Sequence, residues 1–312
     1  MSAVPPRKPV VSLVISVWNR KDDLRDNLKA IAAQTVRADQ VVVVDNCSRD
    51  GTSEMVRAEF PWVQLIVMPH SAYGACETFN VGFASASGEF VGILDDDVVL
   101  PPTFVEHMLA KFATEPETTA ILSPKVIEPQ MPDWYKDSPS VNTERYLPTF
   151  RGCGSMARAA LIKEAGWYDI RFFIFGNERD LATRLLNLGY RVKMVPQVEV
   201  FHKAPFGMRH GARSLYYHVR NFWLYAFKYL PWSQVLAFPF RFLSKRLGGK
   251  QQGGGGEVAD AVGTIGLFEN IKSVKWGYGI CFIATFAALG SLPHCLRQRR
   301  VCTHPDFEPP LR

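Results

Sequence analysis

A chain of 312 residues, 47% hydrophobic and 21% charged, has enough apolar content for one or two buried cores and is not expected to be disordered. Its six cysteines, at 47, 76, 153, 281, 295 and 302, include no CxxC pair; this argues against a disulfide framework or cysteine zinc site and fits a reducing compartment. The net charge of +6 is unevenly spread: residues 1–200 hold 21 Lys/Arg against 25 Asp/Glu, residues 201–300 hold 14 against 3. The stretch MSAVPPRKPV carries no apolar signal core, so secretion is not expected.

VVSLVISV (10–17) predicts a buried strand. A helix comes next, with Leu24, Leu28 and Ile31 on one face and Asn19 as its cap. VVVVD (41–45) predicts a second strand, the loop NCSRDG leads to a short helix from about Thr52, and VQLIV (63–67) predicts a third strand. GACETFNVGFASASG (74–88) reads as a helix and FVGIL (90–94) as a fourth strand. Unbroken apolar strands, as opposed to alternating ones, indicate a parallel sheet covered on both faces, hence an α/β class with a βαβαβαβ half.

Ligands of such sheets sit outside the carboxyl ends of the strands. Asp45 ends the second strand and Asp95, Asp96 and Asp97 end the fourth, so the acids are expected on one rim. The segment 45–51 is also a plain polar turn by composition. The triplet is either a solvated acidic loop or a cation site; an Asp-x-Asp spacing at a strand end turns its first and third carboxylates toward one hard ion.

Four stretches together carry a resemblance: VSLVISVWNRKDDLRDNLKAIAAQT (11–35), VVVVDNCSRDGT (41–52), GEFVGILDDDVVLPP (88–102) and AGWYDIRFFIFGNERDLATRLLNLGYRV (165–192). Over roughly residues 9–205 the chain resembles the family 2 glycosyltransferases of the GT-A fold, the Rossmann-like fold of nucleotide-diphospho-sugar transferases. The resemblance implies that Asp45 contacts the nucleotide base, with Val17, Trp18, Asn19 and Arg20 bordering that pocket. It implies that Asp95 and Asp97 hold Mg²⁺ or Mn²⁺ against the donor diphosphate, while Asp96 touches the donor's ribose or sugar. Gly152-Cys153-Gly154-Ser155 matches the acceptor-side strand, and Gly154 is placed with the nucleotide-sugar-binding positions. His202, after the strand-like VEVF, matches a histidine that adds a metal or diphosphate contact.

Relatives commonly show Glu-Asp-x-Asp-Leu where this chain has Asn177-Glu178-Arg179-Asp180-Leu181. The resemblance therefore makes Glu178 the catalytic base, with Asp180 as the alternative. Glu178 also reads simply as an acid at a helix start, with Leu181, Leu185 and Leu188 as the apolar stripe behind it. The resemblance further implies inverting, metal-dependent transfer from a UDP-, dTDP- or GDP-linked sugar to a glycan or lipid-linked acceptor. A hexosyl or deoxyhexosyl group, rhamnosyl by preference, would be the one moved. The departure at Asn177-Glu178 leaves a rival: a catalytically silent sugar-nucleotide-binding scaffold. A Rossmann dehydrogenase or a nucleotidyltransferase would need a glycine-rich phosphate loop after the first strand, where VWNRKDD stands.

The remainder divides the chain into a GT-A domain at 1–205 and a helical, basic-aromatic extension at 206–312 with a glycine-rich loop at about 248–256. RSLYYHVRNFWLYAFKYLPWSQVLAFPFRFLSKRL (213–247) reads either as helices lying in a membrane interface or as a subdomain packed on the sheet. WGYGICFIATFAALGSLP (276–293) is uncharged and borderline in length for a span; membrane contact and a buried or re-entrant helix both fit it. The resulting expectation is a cytoplasmic enzyme, peripheral at the inner face of the membrane, without nucleic-acid partners. Trp134 and Tyr135 either stack on a sugar or pin their proline-rich loop.

Overall fold

The β-branched runs form the expected parallel strands. In the computed structural model, which describes residues 10–237 and 267–309, β1 (Val11–Val17), β2 (Gln40–Asp45), β3 (Gln64–Val67) and β4 (Phe90–Asp95) pair in the order β3-β2-β1-β4. They are joined by α1 (Lys21–Ala32), α2 (Thr52–Glu59) and α3 (Ala75–Ser85). Val14, Val42, Val44 and Ile93 enter one apolar cluster, and Leu13, Ile15, Val41, Val43 and Leu94 enter another. Burial on both faces is why these strands read as continuous apolar runs. Leu24, Leu28 and Ile31 bury one face of α1, but Asn19 is not its cap. Asn19 (φ 52°) instead accepts from the Arg49 N–H at 2.7 Å, tying the loop after β1 to the loop after β2.

After β4 the simple alternation stops. The chain continues through β5 (Val98–Val99), α4 (Phe104–Thr114), β6 (Thr119–Ile127), α5 (Asp133–Lys136), α6 (Pro139–Asn142), β7 (Tyr146–Leu147), β8 (Ser155–Arg158), α7 (Ala159–Glu164), α8 (Asn177–Asn187) and β9 (Arg191–His202). β8 lies antiparallel to both β4 and β6, and two reversals restore the original direction. β6 and β9, paired in parallel, therefore end on the same rim as β2 and β4. The run VVLPP (98–102) does not pass straight into the next helix. It first forms β5, antiparallel to β9 with Val98 opposite His202, which carries that histidine to the aspartates.

The basic, aromatic stretch begins as α9 (Ala212–Tyr229), followed among the described residues by α10 (Leu267–Ser273), α11 (Gly277–Gly290) and α12 (Leu292–Arg297). Leu224, Tyr225, Phe227 and Tyr229 of α9 join the same cluster as Val14, together with Ala288 and Cys295. Residues 213–229 therefore pack one face on the protein, as the subdomain reading expects. Residues 238–247 and the glycine-rich 248–256 lie outside the described residues. The stripe on α8 ends at Leu185, since Leu188 is 38% exposed. Tyr135 is buried against Phe206 and pins its loop, while Trp134 is exposed. No described helix is long and apolar enough to cross a membrane.

Candidate active site

The strand ends open onto a cavity of about 740 Å³, within the usual range for small-molecule sites. Asp95 projects into it, its side chain 43% exposed, whereas Asp97 is buried at 2%. His202 turns Nδ1 to Glu128 Oε1 at 2.8 Å, leaving Nε2 3.1 Å from Asp97 Oδ1 and 4.0 Å from Asp95 Oδ2. A carboxylate behind the ring fixes which nitrogen faces the site, as it does for metal-ligating histidines. One atom each of Asp95, Cys153 and His202 also lies within 4.8 Å of the others. Burial pushes the Cys153 thiol up, so it meets this site as a neutral group. Asp95 and His202 remain as donors, and Asp97, whose Oδ1 is 3.1 Å from His202 Nε2, adds a second carboxylate; carboxylates with an imidazole fit Mg²⁺ or Mn²⁺.

The acids crowd one another. Burial, reinforced by Asp97 and Asp95, pushes Asp96 up to about 8, and burial raises Asp95 as well. Burial would raise Asp97 too, but His202, Arg20 and Arg209 hold it below its ordinary value. Burial opposes charge on His202, yet its hydrogen bonds to Asp97 and Glu128 and the charge of Asp95 overcome it and hold the ring above its ordinary value. The cluster thus draws positive charge to itself. A proton on His202, the guanidinium groups of Arg20 (3.4 Å from Asp97) and Arg209 (3.3 Å), and a metal ion are competitors for the same carboxylates.

Glu178 stands in the first turn of α8, half-buried in the cavity wall. Burial, with the charge of Asp95 adding to it, pushes its carboxyl up to about 7, near the value suited to a general base at neutral pH. The loop that aims it is unusual: Phe173 (φ 65°), Phe175 (φ 67°) and Gly176 (φ 75°) all have left-handed backbones, costly for the two phenylalanines. Buried Asn221 of α9 holds that loop, its amide donating to the carbonyls of Phe172 (2.8 Å), Ile174 (2.7 Å) and Phe175 (2.9 Å). The C-terminal helix is therefore part of the site, and Phe222 and Tyr225 also line the cavity.

Gly152 lies across from Glu178. A Cβ at 152 would come 2.8 Å from Glu178 Oε1. Because that atom is the free end of a flexible side chain, Gly152→Ala is expected to displace the carboxylate without unfolding the protein. The expected result is turnover lowered roughly tenfold or more with thermal stability unchanged; misplacing a reacting group by about 1 Å is that expensive. Unchanged turnover would show that Glu178 tolerates the shift and does not set the rate.

Of the residues singled out in the sequence, Val17, Asn19, Arg20, Asp95, Asp96, Asp97, Glu178 and His202 line the cavity together. Three do not. Asp45 is fully buried behind the wall, accepting from Ser48 N–H at 2.9 Å and from the Ser53 hydroxyl. Its neighbour Asn46 lines the cavity instead, with a buried Oδ1 that has no partner among the described residues. Gly154 sits in the sheet, its N–H bonded to Ile93 O at 2.9 Å, while Gly152 and Cys153 reach the cavity. Asp180 is fully buried elsewhere: Oδ1 takes Lys228 Nζ (2.5 Å) and the Tyr229 hydroxyl (2.7 Å), and Oδ2 takes Arg184 (2.8 Å). Glu128, Arg209 and Asn221 were missed. Glu128 comes just after β6, and its place on this rim depends on the antiparallel insertion of β8.

The model of the family described as Glycosyl transferase family 2 matches residues 12–175, just over half of the chain. The chain belongs to glycosyl transferase family 2. The matched span includes the aspartate triplet, while Glu178 and His202 lie beyond it. An uncharacterized glycosyltransferase of Haemophilus influenzae is 26% identical over 160 residues, covering 50% of this chain and 53% of that protein. The succinoglycan biosynthesis protein ExoO of Rhizobium meliloti is 31% identical over 104 residues, 33% of this chain and 30% of that one. The matches thus span about half the length or less of these curated relatives. Among solved structures, mannosyltransferase PcManGT from Pyrobaculum calidifontis, in complex with GDP-Man and Mn²⁺, superimposes with a TM-score of 0.57 at 19% identity, covering 92% of this chain and 77% of that chain. S. aureus TarS 1–349 in complex with UDP-GlcNAc gives 0.54 at 15% identity, covering 91% and 92%. These likenesses establish the GT-A fold for this chain.

Proposed function

We propose that this glycosyltransferase moves a sugar from a nucleoside-diphosphate donor to a hydroxyl of a glycan or lipid-linked saccharide, by a single inverting displacement that depends on Mg²⁺ or Mn²⁺. The observation carrying this reading is that Asp95, Asp97, His202 and Glu178 face one cavity. Structural neighbours were solved with GDP-Man and Mn²⁺ or with UDP-GlcNAc, which supports a nucleotide sugar as donor and a divalent ion as cofactor. A cation held by Asp95, Asp97 and His202 would neutralise charge developing on the leaving diphosphate. Arg20 and Arg209, now turned to Asp97, are placed to meet the same diphosphate oxygens. Glu178 takes the proton of the attacking hydroxyl. With the aspartates committed to the cation and one base in place, the sugar is inverted.

The moved group is a hexosyl or deoxyhexosyl unit, with rhamnosyl preferred on the family resemblance and UDP, dTDP or GDP as the carrier. Residues up to 205, with Arg209 just beyond them, supply the donor side, and the C-terminal region contributes α9 to the base side. A graded series tests the cation assignment. Asp97→Ala is expected to abolish Mn²⁺-dependent donor binding, whereas Glu128→Gln, which acts only through His202, should weaken Mn²⁺ roughly 10–100-fold. Mn²⁺-dependent donor affinity unchanged in Asp97→Ala would remove the assignment.

A further inference from the structure

α11 (Gly277–Gly290) has no role in the cavity and carries no charged residue. Gly277, Ala284 and Ala288 are its buried residues, and Thr285 Oγ1 accepts from Trp223 Nε1 of α9 at 3.0 Å. Tyr278, Phe282, Ile283, Phe286 and Leu289 are between 44% and 65% exposed. At 100° per residue they fill a continuous arc of about 140°. Trp276, just before the helix, is 78% exposed. A water-facing helix normally turns polar residues outward, and an apolar patch of this kind marks an interaction surface.

Two features identify the partner. Fourteen residues of helix span about 21 Å, short of the ~30 Å hydrocarbon core, so α11 can lie along a membrane but not cross it. Residues 270–305 contain five Lys/Arg and no Asp/Glu, with exposed Lys272 and Lys275 before the helix and exposed Arg297 and Arg300 after it. A second copy pairing through this face would set cation against cation in either orientation. Residues 238–266 hold four Lys/Arg against two acids, so they would bring more of the same sign. An anionic lipid surface complements both ends.

We propose that the outer face of α11 docks the protein flat on an anionic bilayer, with Trp276 and Tyr278 at headgroup depth and the flanking cations on lipid phosphates. The sequence allowed membrane contact in both 213–247 and 276–293; the exposed apolar arc of α11 favours the second. α9 lies between this face and the cavity, so docking would hold the acceptor side of the protein close to the membrane. The inference stands apart from the transferase reading, because it is read without donor or metal.

The test is co-sedimentation of the full chain with phosphatidylglycerol-containing vesicles and with pure phosphatidylcholine vesicles. Wild type is expected to bind the former, with affinity falling as salt is raised. Phe282→Asp/Phe286→Asp should lower the partition coefficient roughly tenfold or more, with an unchanged thermal transition because both side chains face outward. Lys272→Glu/Lys275→Glu should weaken binding to phosphatidylglycerol vesicles selectively. Absence of vesicle binding, equal binding by the double Phe variant, or a solution dimer that this variant dissolves would each overturn the proposal.

Discussion

Glu178→Gln is expected to lower sugar transfer roughly 10²–10⁴-fold while leaving nucleotide-sugar affinity within a few-fold of wild type. The amide keeps the size of the side chain and its place at the start of α8, so what is lost is the ability to accept a proton. The pH profile should carry the same signature. A base pushed up to about 7 is protonated below that pH, so kcat/KM should rise with pH through an acidic limb. A cation bound at Asp95 would remove that residue's share of the shift and leave the share due to burial. The limb should therefore lie between the ordinary carboxylate range and about 7. Near-normal turnover in Glu178→Gln would place the base elsewhere.

Asp180→Asn and Lys228→Met should behave in the opposite way. Lys228 is 1% exposed and bridges Asp180 (2.5 Å) and Asp169 (2.9 Å), and Asp169 also meets His294 of α12 at 2.9 Å. Burial would raise Asp180, but Arg184 and Lys228 hold it below its ordinary value. Removing one partner of such a buried network strands a charge and costs about 3–5 kcal/mol. For a chain of this size that is a Tm lower by roughly 10 °C. Thermal melts separate the two carboxylates: Glu178→Gln should melt like wild type, Asp180→Asn well below it. If Asp180→Asn kept full stability and lost activity as completely as Glu178→Gln, Asp180 would be the base.

Much of the sheet was legible because its strands are buried on both faces, and such strands announce themselves as β-branched runs. The acids at the ends of β2 and β4 were legible for the same reason, since the strand rule says where their carboxyl ends go. What the linear pattern did not carry was orientation and distant partnership. Asp45 and Asn46 are adjacent, yet the aspartate is buried behind the wall and the asparagine lines the cavity. Asp180 comes two residues after Glu178, about 200° around the helix, so the two carboxylates leave opposite sides of α8. Glu128 meets His202 through the parallel register of β6 and β9, which sets Ile127 beside Phe201. The charge asymmetry was visible, yet aromatic and basic residues look alike whether they pack inward, as in α9, or outward, as on α11.

The proposed chemistry depends above all on a nucleotide sugar binding this cavity through a cation held by Asp95, Asp97 and His202. Calorimetric titration of UDP-, dTDP- and GDP-linked sugars into the protein, with Mn²⁺ and with a chelator, measures that binding. At least one donor is expected to bind with Mn²⁺ and to lose most of its affinity with the chelator. Binding equally strong under both conditions, or no binding by any donor in either, would refute the cation-bridged site.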